Sequence, residues 1–192
     1  MTNLAFTGSD KLTEAIDAAV RLTSTPAITD QLRHSLCRMM RDHEVTLPTC
    51  VMSPVEGRYA RRLLHLSEAH GYCVVAMTWG PGQGTPIHDH SGMWCVEGVW
   101  HGALEVVQYE PVGESAGLHH FQPVGSIQAG HGSAGSLIPP HEYHAIRNPS
   151  EKDIAISVHI YEGEMSRCNV FLPIGDGLRY RRSERELVLD SM

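Results

Sequence analysis

The residues with the clearest chemical potential lie in GQGTPIHDHSGMWCVEGVWHG, which carries His88, Asp89, His90 and Cys95. Residues two apart on an extended strand point to the same side. His88 and His90 therefore offer two imidazoles to one ion, while Asp89 faces away. Neutral imidazole suits iron, zinc, nickel or copper, so ligand type alone names no metal. Cys95, five residues after His90, is either a further ligand or a thiol with another task. A second polar group sits in IAISVHIYEG, where Ile156, Val158 and Ile160 alternate with Ser157, His159 and Tyr161. That is the pattern of a half-buried strand. Its polar face either meets solvent or, beside a metal, forms a relay in which Ser157 orients His159 and His159 orients the Tyr161 hydroxyl.

Such residues need a rigid frame. The first fifty residues read as helical: DKLTEAIDAAVRLTS sets Leu12, Ile16, Ala19 and Val20 on one side, with Asp10 as cap. ITDQLRHSLCRMMRDH repeats the pattern through Leu32, Leu36 and Met39 or Met40, with Pro26 as a break before it. From about Arg58 the character changes. Short runs (YCVVAMTW, WCVEGVW, ALEVVQYE, GSLIPP, HAIRN, IAISVHIYEG) alternate with Gly/Pro turns such as GPGQGTP. The expected fold is mainly β: a barrel or double sheet able to house a small ligand. A helical segment over residues 1–50 would pack on a β-barrel domain over 51–192, which ends in a charged tail. RRSERE in that tail reads as an exposed polar face.

The spacing of Gly82, His88, His90, Cys95 and Gly102 resembles the first signature of the cupin superfamily, with Cys95 in place of the usual glutamate. In PPHEYHAIRN, Pro139, His144 and Asn148 match the second signature, and His141 stands where it has glycine. His141 competes as third ligand, but register with Asn148 favours His144. The resemblance implies a cupin jelly-roll barrel with N-terminal helices. Three neutral histidines without a carboxylate would leave the full charge on a ferrous ion, which suits an anionic sulfur ligand.

Over about residues 58 to 170 the chain further resembles the cysteine dioxygenase family of thiol dioxygenases. The resemblance implies Fe(II) held by His88, His90 and His144, with Ser157, His159 and Tyr161 as the catalytic strand. It also implies a thioether between Cys95 and Tyr161. In GRYARRLLHL it places Arg61, two residues after Tyr59, against the substrate carboxylate. Arginine pairs bidentately with a carboxylate, which glutamine cannot do as an ion pair. Arginine-type members are typically cysteine dioxygenases, and glutamine-type members prefer 3-mercaptopropionate. A one-residue slip would exchange Arg61 with Arg62; Arg58 and Arg62 otherwise read as surface residues. The activity implied is oxidation of L-cysteine by O2 to cysteine sulfinate, with no nicotinamide, flavin or 2-oxoglutarate. The alternative, 3-mercaptopropionate dioxygenase, draws on WGPGQGTPIHDH and Trp94, which look more like those enzymes. A non-catalytic cupin sensing a small ligand through zinc or nickel is a more distant reading. Isomerase or decarboxylase chemistry lacks a second carboxylate cluster.

Composition bounds the rest. At 192 residues, with 42% hydrophobic and 19% charged content, the chain can bury a sizeable core. A formal charge of −7 argues against a nucleic-acid surface. Five irregularly spaced cysteines make a poor disulfide framework and a poor structural zinc site. With no basic and apolar leader and no run of the ~20 apolar residues needed to span a membrane, a cytoplasmic location is the expectation.

Overall fold

The computed structural model describes residues 4–175 and 179–191. Two helices, α1 (Ser9–Ala19) and α2 (Thr25–Arg41), lead through a 3-10 turn (Thr49–Met52) into eleven strands among the described residues. These are β1 (Ala60–Ser67), β2 (Tyr72–Trp79), β3 (Ile87–His88), β4 (Cys95–His101), β5 (Ala103–Ser115) and β6 (Leu118–Gly130). They continue with β7 (Ala134–Leu137), β8 (His144–Arg147), β9 (Ala155–Tyr161), β10 (Arg167–Ile174) and β11 (Arg179–Glu186). One sheet runs β1-β2-β9-β4-β7, and β10-β11-β6-β5-β8-β3 close on themselves. The mainly β, cupin-type architecture with two leading helices matches the expectation.

Both helices start differently from the sequence reading. Asp10 lies inside the first turn of α1, where its charge meets the positive end of the helix dipole, and Gly8 occupies the cap position. Pro26 sits within the first turn of α2, where a missing N–H costs nothing, while Ser24 Oγ accepts from Ala27 N. Leu12, Ile16 and Ala19 of α1 and Leu32, Leu36, Met39 and Met40 of α2 are buried, as the spacing indicates.

The helices cover the outer face of the five-stranded sheet. Their apolar residues share a core with Val74 and Ala76 of β2, Val96 of β4 and Ile156, Val158 and Ile160 of β9. The apolar face of β9 therefore lies under the helices, and its polar face looks into the barrel. All seven residues of β9 are buried, so the strand is enclosed on both sides and not half-buried. Inside the barrel a second core joins Cys73, Trp79, Cys95, Val99, Leu104, Tyr161, Met165 and Cys168. Trp94 belongs to the helix-side core and does not line the interior.

The signature glycines shape the barrel's corners. Gly82 and Gly102 have φ of 69° and 70°, in the left-handed region that glycine enters without steric cost. Asn148 is a bracket: its amide nitrogen donates to the carbonyls of Trp79, Gly80 and Asp153. This ties the end of β8 to the end of β2 and to the approach to β9.

Candidate active site

β3 and β8 pair directly at His88 and His144. His90 follows two residues after His88. Asp89, turned the other way, accepts from Asn169 N and from Asn169 Nδ2 at 2.9 and 2.7 Å, which fixes the ligand segment to β10. His88, His90 and His144 come together with their ligand nitrogens within 4.8 Å of one another. His141 is exposed and lies outside the group.

The backbone sets which nitrogen each ring presents. His88 Nδ1 lies 3.2 Å from Pro86 O, and His144 Nδ1 lies 2.8 Å from Glu142 O. A carbonyl can only accept, so in both rings Nδ1 carries the proton and Nε2 keeps its lone pair. His144 Nε2 is buried with no hydrogen-bond partner among the described residues. Desolvation holds the pKa of all three imidazoles below the usual histidine range, furthest for His90 and His144, so the rings are neutral near pH 7. Three neutral, convergent nitrogens, one of them an orphaned buried lone pair, fit a divalent metal centre.

A cavity of about 570 Å³ is lined by Tyr59, Arg61, Pro86, Arg185 and Leu187, among others. It reaches Pro86, whose carbonyl accepts from His88 Nδ1, and none of the three histidines lines it. Arg61 is 3% exposed. Its Nη2 donates to Met165 O at 3.0 Å, but Nε and Nη1 are buried with no partner among the described residues. Arg62 points to the opposite face, donating to Thr78 Oγ1 at 3.1 Å and Ser53 O at 2.8 Å. The register thus puts Arg61 on the cavity. Arg62 is buried and satisfied, correcting its reading as a surface residue. Arg58 is exposed and pairs with Asp190 at 2.9 Å.

Tyr59 stacks on Trp79 with ring centroids 4.6 Å apart and shares the cavity wall with Arg185. Burial raises its hydroxyl pKa, and the nearby Arg61 partly offsets that.

On β9 the polar residues form a connected chain. Indole N–H can only donate, so Trp79 Nε1 donates to Ser157 Oγ at 2.9 Å. Ser157 Oγ in turn lies 2.8 Å from His159 Nε2, and His159 Nδ1 lies 4.0 Å from Cys95 Sγ. Desolvation pushes the His159 pKa down to about 3. The Tyr161 ring stacks on His159 at 5.9 Å and meets His90 edge-on at 5.8 Å. Cys95 and Tyr161 are direct cross-strand partners. Burial raises the pKa of both well above the ordinary values, so thiol and phenol stay protonated.

Several residues in this region escaped the sequence reading. Cys73 faces Tyr161 from its other side on β2, and Cys168 shares the same core; burial lifts both thiols to about 11. Arg185, in the stretch read as an exposed tail, reaches the cavity from β11. Glu97 is the third. It sits two residues beyond Cys95 on the same face of β4, opposite His159. Its Oε2 is 3.3 Å from His159 Nδ1 and 4.0 Å from His144 Nε2. A carboxylate therefore stands beside His144, outside the group of ligand nitrogens, which is made of the three histidines. The signal available in sequence was the two-residue periodicity from Cys95.

Solved structures similar to this chain are distant. They include a Thermus thermophilus protein, 19% identical, with a TM-score of 0.46 over 62% of this chain and 95% of that one. The Schizosaccharomyces pombe Cnp3 cupin domain is 10% identical, with a TM-score of 0.46 over 62% of this chain and 70% of that one. An uncharacterised Klebsiella pneumoniae protein with a double-stranded β-helix domain is 18% identical, with a TM-score of 0.45 over 60% and 82%. The family comparison is more specific. The cysteine dioxygenase type I family matches residues 55–172, from just before Tyr59 to the strand that holds Asn169. With the trio, Arg61 and all of β9 inside that span, the chain belongs to the cysteine dioxygenase family of the cupin superfamily.

Proposed function

We propose that the chain is a non-haem Fe(II) thiol dioxygenase that converts L-cysteine and O2 to cysteine sulfinate. The observation that carries the substrate class is Arg61: a buried guanidinium with two unpartnered donors, lining a cavity that reaches Pro86, the carbonyl partner of His88 Nδ1. Buried polar groups are rarely left unpaired, and a carboxylate presenting two oxygens satisfies both donors.

Bound iron would supply a cationic seat for the thiolate and activate O2. In the reaction R–SH and O2 become R–SO2⁻ and a proton. Sulfur gives up four electrons, O2 accepts them, and both oxygen atoms end on sulfur. The protein's own residues supply position and electrostatics. Arg61 anchors the carboxylate, with Tyr59 packed beside it and held by the Trp79 ring. His159, neutral near pH 7, adds no charge of its own to the inner wall. Tyr161, protonated at neutral pH, is the hydroxyl donor toward charge developing on oxygen. Cys95 is assigned to a thioether with Tyr161, for which cross-strand pairing gives the position; a crosslinked chain would be lighter by two hydrogens.

Oxygen uptake by iron-loaded protein tests this against cysteine, 3-mercaptopropionate and a thiol lacking a carboxylate, with the product identified by mass. Cysteine is expected to be turned over to its sulfinate, and the carboxylate-free thiol far less efficiently. Efficient 3-mercaptopropionate oxidation with negligible cysteine oxidation would replace cysteine as substrate. No uptake with any thiol would reject the reading.

A further inference from the structure

We propose that Glu97 supplies the negative charge of the metal centre, from a strand position two residues beyond the one the cupin signature uses. The inference rests on the trio holding a divalent metal, but not on which thiol is oxidised.

Two buried atoms carry it. Glu97 Oε2 and His144 Nε2 both lack a hydrogen-bond partner among the described residues, and they face each other across 4.0 Å. His144 Nδ1 bears the proton given to Glu142 O, so Nε2 presents a lone pair. A carboxylate oxygen also presents lone pairs. Two acceptors buried face to face repel each other unless a proton or another positive charge lies between them. A divalent ion on the trio is such a charge, since His144 Nε2 is one of its ligand atoms.

The same oxygen lies 3.3 Å from His159 Nδ1 with no hydrogen bond between them, so Glu97 Oε2 stands between the two imidazoles. Glu97 also borders a cavity of about 140 Å³ together with Gln108, Ser136 and His144. The carboxylate thus has space on the His144 side for a water or for its own adjustment toward the ion.

The position on β4 follows from the strand's periodicity. Cys95 occupies the signature's carboxylate position and faces Tyr161, while Glu97 faces His159 one step along the same side. The carboxylate is displaced by one pleat, which leaves Cys95 free to pair with Tyr161.

The test uses metal-free full-length protein and Zn²⁺ as probe, with affinity measured by competition against a chromophoric chelator. Glu97→Gln keeps the side chain's shape and removes its charge. It is expected to weaken Zn²⁺ binding by about 10- to 100-fold, the usual effect of losing a group that supports metal ligands, while the metal-free protein melts no lower than wild type. Glu97→Asp, which keeps the charge on a shorter arm, should fall between the two. The Co²⁺ absorption spectrum should change in the Gln variant as a sign of an altered metal environment. Zn²⁺ affinity in Glu97→Gln and Glu97→Asp equal to wild type would overturn the inference. That result alongside thiol-dependent oxygen uptake by the wild type would leave the proposed function standing. No uptake by wild type alongside weakened binding in the Gln variant would do the reverse.

Discussion

Along β1, Arg61 and Arg62 point to opposite faces because successive strand side chains alternate, and their different surroundings give different jobs to the same chemistry. Arg62 donates to Thr78 Oγ1 and to the carbonyls of Ser53 and Ser191, joining the 3-10 turn, β2 and the C-terminal segment. Arg61 keeps two buried donors unpaired. Arg62→Gln should therefore lower stability by about 2–3 kcal/mol, the scale for lost bonds from a charged donor, and leave KM of the folded enzyme unchanged. Arg61→Gln should do the opposite, cutting kcat/KM by roughly 10- to 100-fold through KM. Urea titration and steady-state kinetics on both variants separate the roles. Equal loss of stability in the two would contradict this division. At this scale the sequence disclosed the histidine trio, because ligand spacing is local, but not Glu97. That carboxylate acquires its meaning only from pairing Glu97 with His159 across β4 and β9, a relation between residues 62 positions apart.

β4 connects the site to the helices. One face carries Cys95 and Glu97; the other rests on α2 at Gly98, where an added Cβ would lie 3.1 Å from Met40 Cε and 3.3 Å from Leu36 Cδ1. Gly98→Val should force α2 and β4 apart, costing about 1–3 kcal/mol as overpacking does. Because β4 would shift as a unit, metal affinity should fall with it, and Leu36→Ala in the same chain should recover part of both losses. A Gly98→Val variant as stable as wild type would refute the tight contact. Strands such as β2, β4 and β9 were legible because their buried runs are apolar or alternate strictly. β6 and β11 were not. LHHFQPVGSIQAG and RYRRSERE carry the histidines, glycines, proline and charges of loops, yet both pair in long ladders whose outer stretches are exposed. Backbone pairing with a neighbour, more than side-chain burial, makes them strands. Arg185 was hidden for the same reason, since a charged run discloses a pocket residue only once its partner strand is known.

Across the whole molecule, the barrel encloses more neutral imidazole than a folded domain usually buries, and this makes the metal-free protein sensitive to acid. His88, His90 and His144 have pKa values lowered chiefly by desolvation, and His159 is lowered to about 3 for the same cause. For each, the folded value lies below the ordinary ~6.5, so below that pH the unfolded chain takes up a proton that the folded chain refuses. Stability is therefore fully present above about pH 6.5 and is lost as pH falls toward the folded values. Glu97 acts in the other sense. Desolvation raises its carboxyl to about 7, so the folded state binds its proton first between pH 7 and the ordinary carboxylate range, which offsets one histidine. The histidines outnumber the carboxyls that oppose them, so stability falls as pH drops below about 6.5. The urea midpoint of chelated protein should fall steeply from pH 6.5 to 5, while saturating Zn²⁺ raises the midpoint at each pH by mass action. Glu97→Gln should make the decline steeper, because it removes a group that opposes it. A midpoint that stays level between pH 7 and 5 would mean that the four rings open to water before they charge, and an enclosed barrel interior would have to be abandoned.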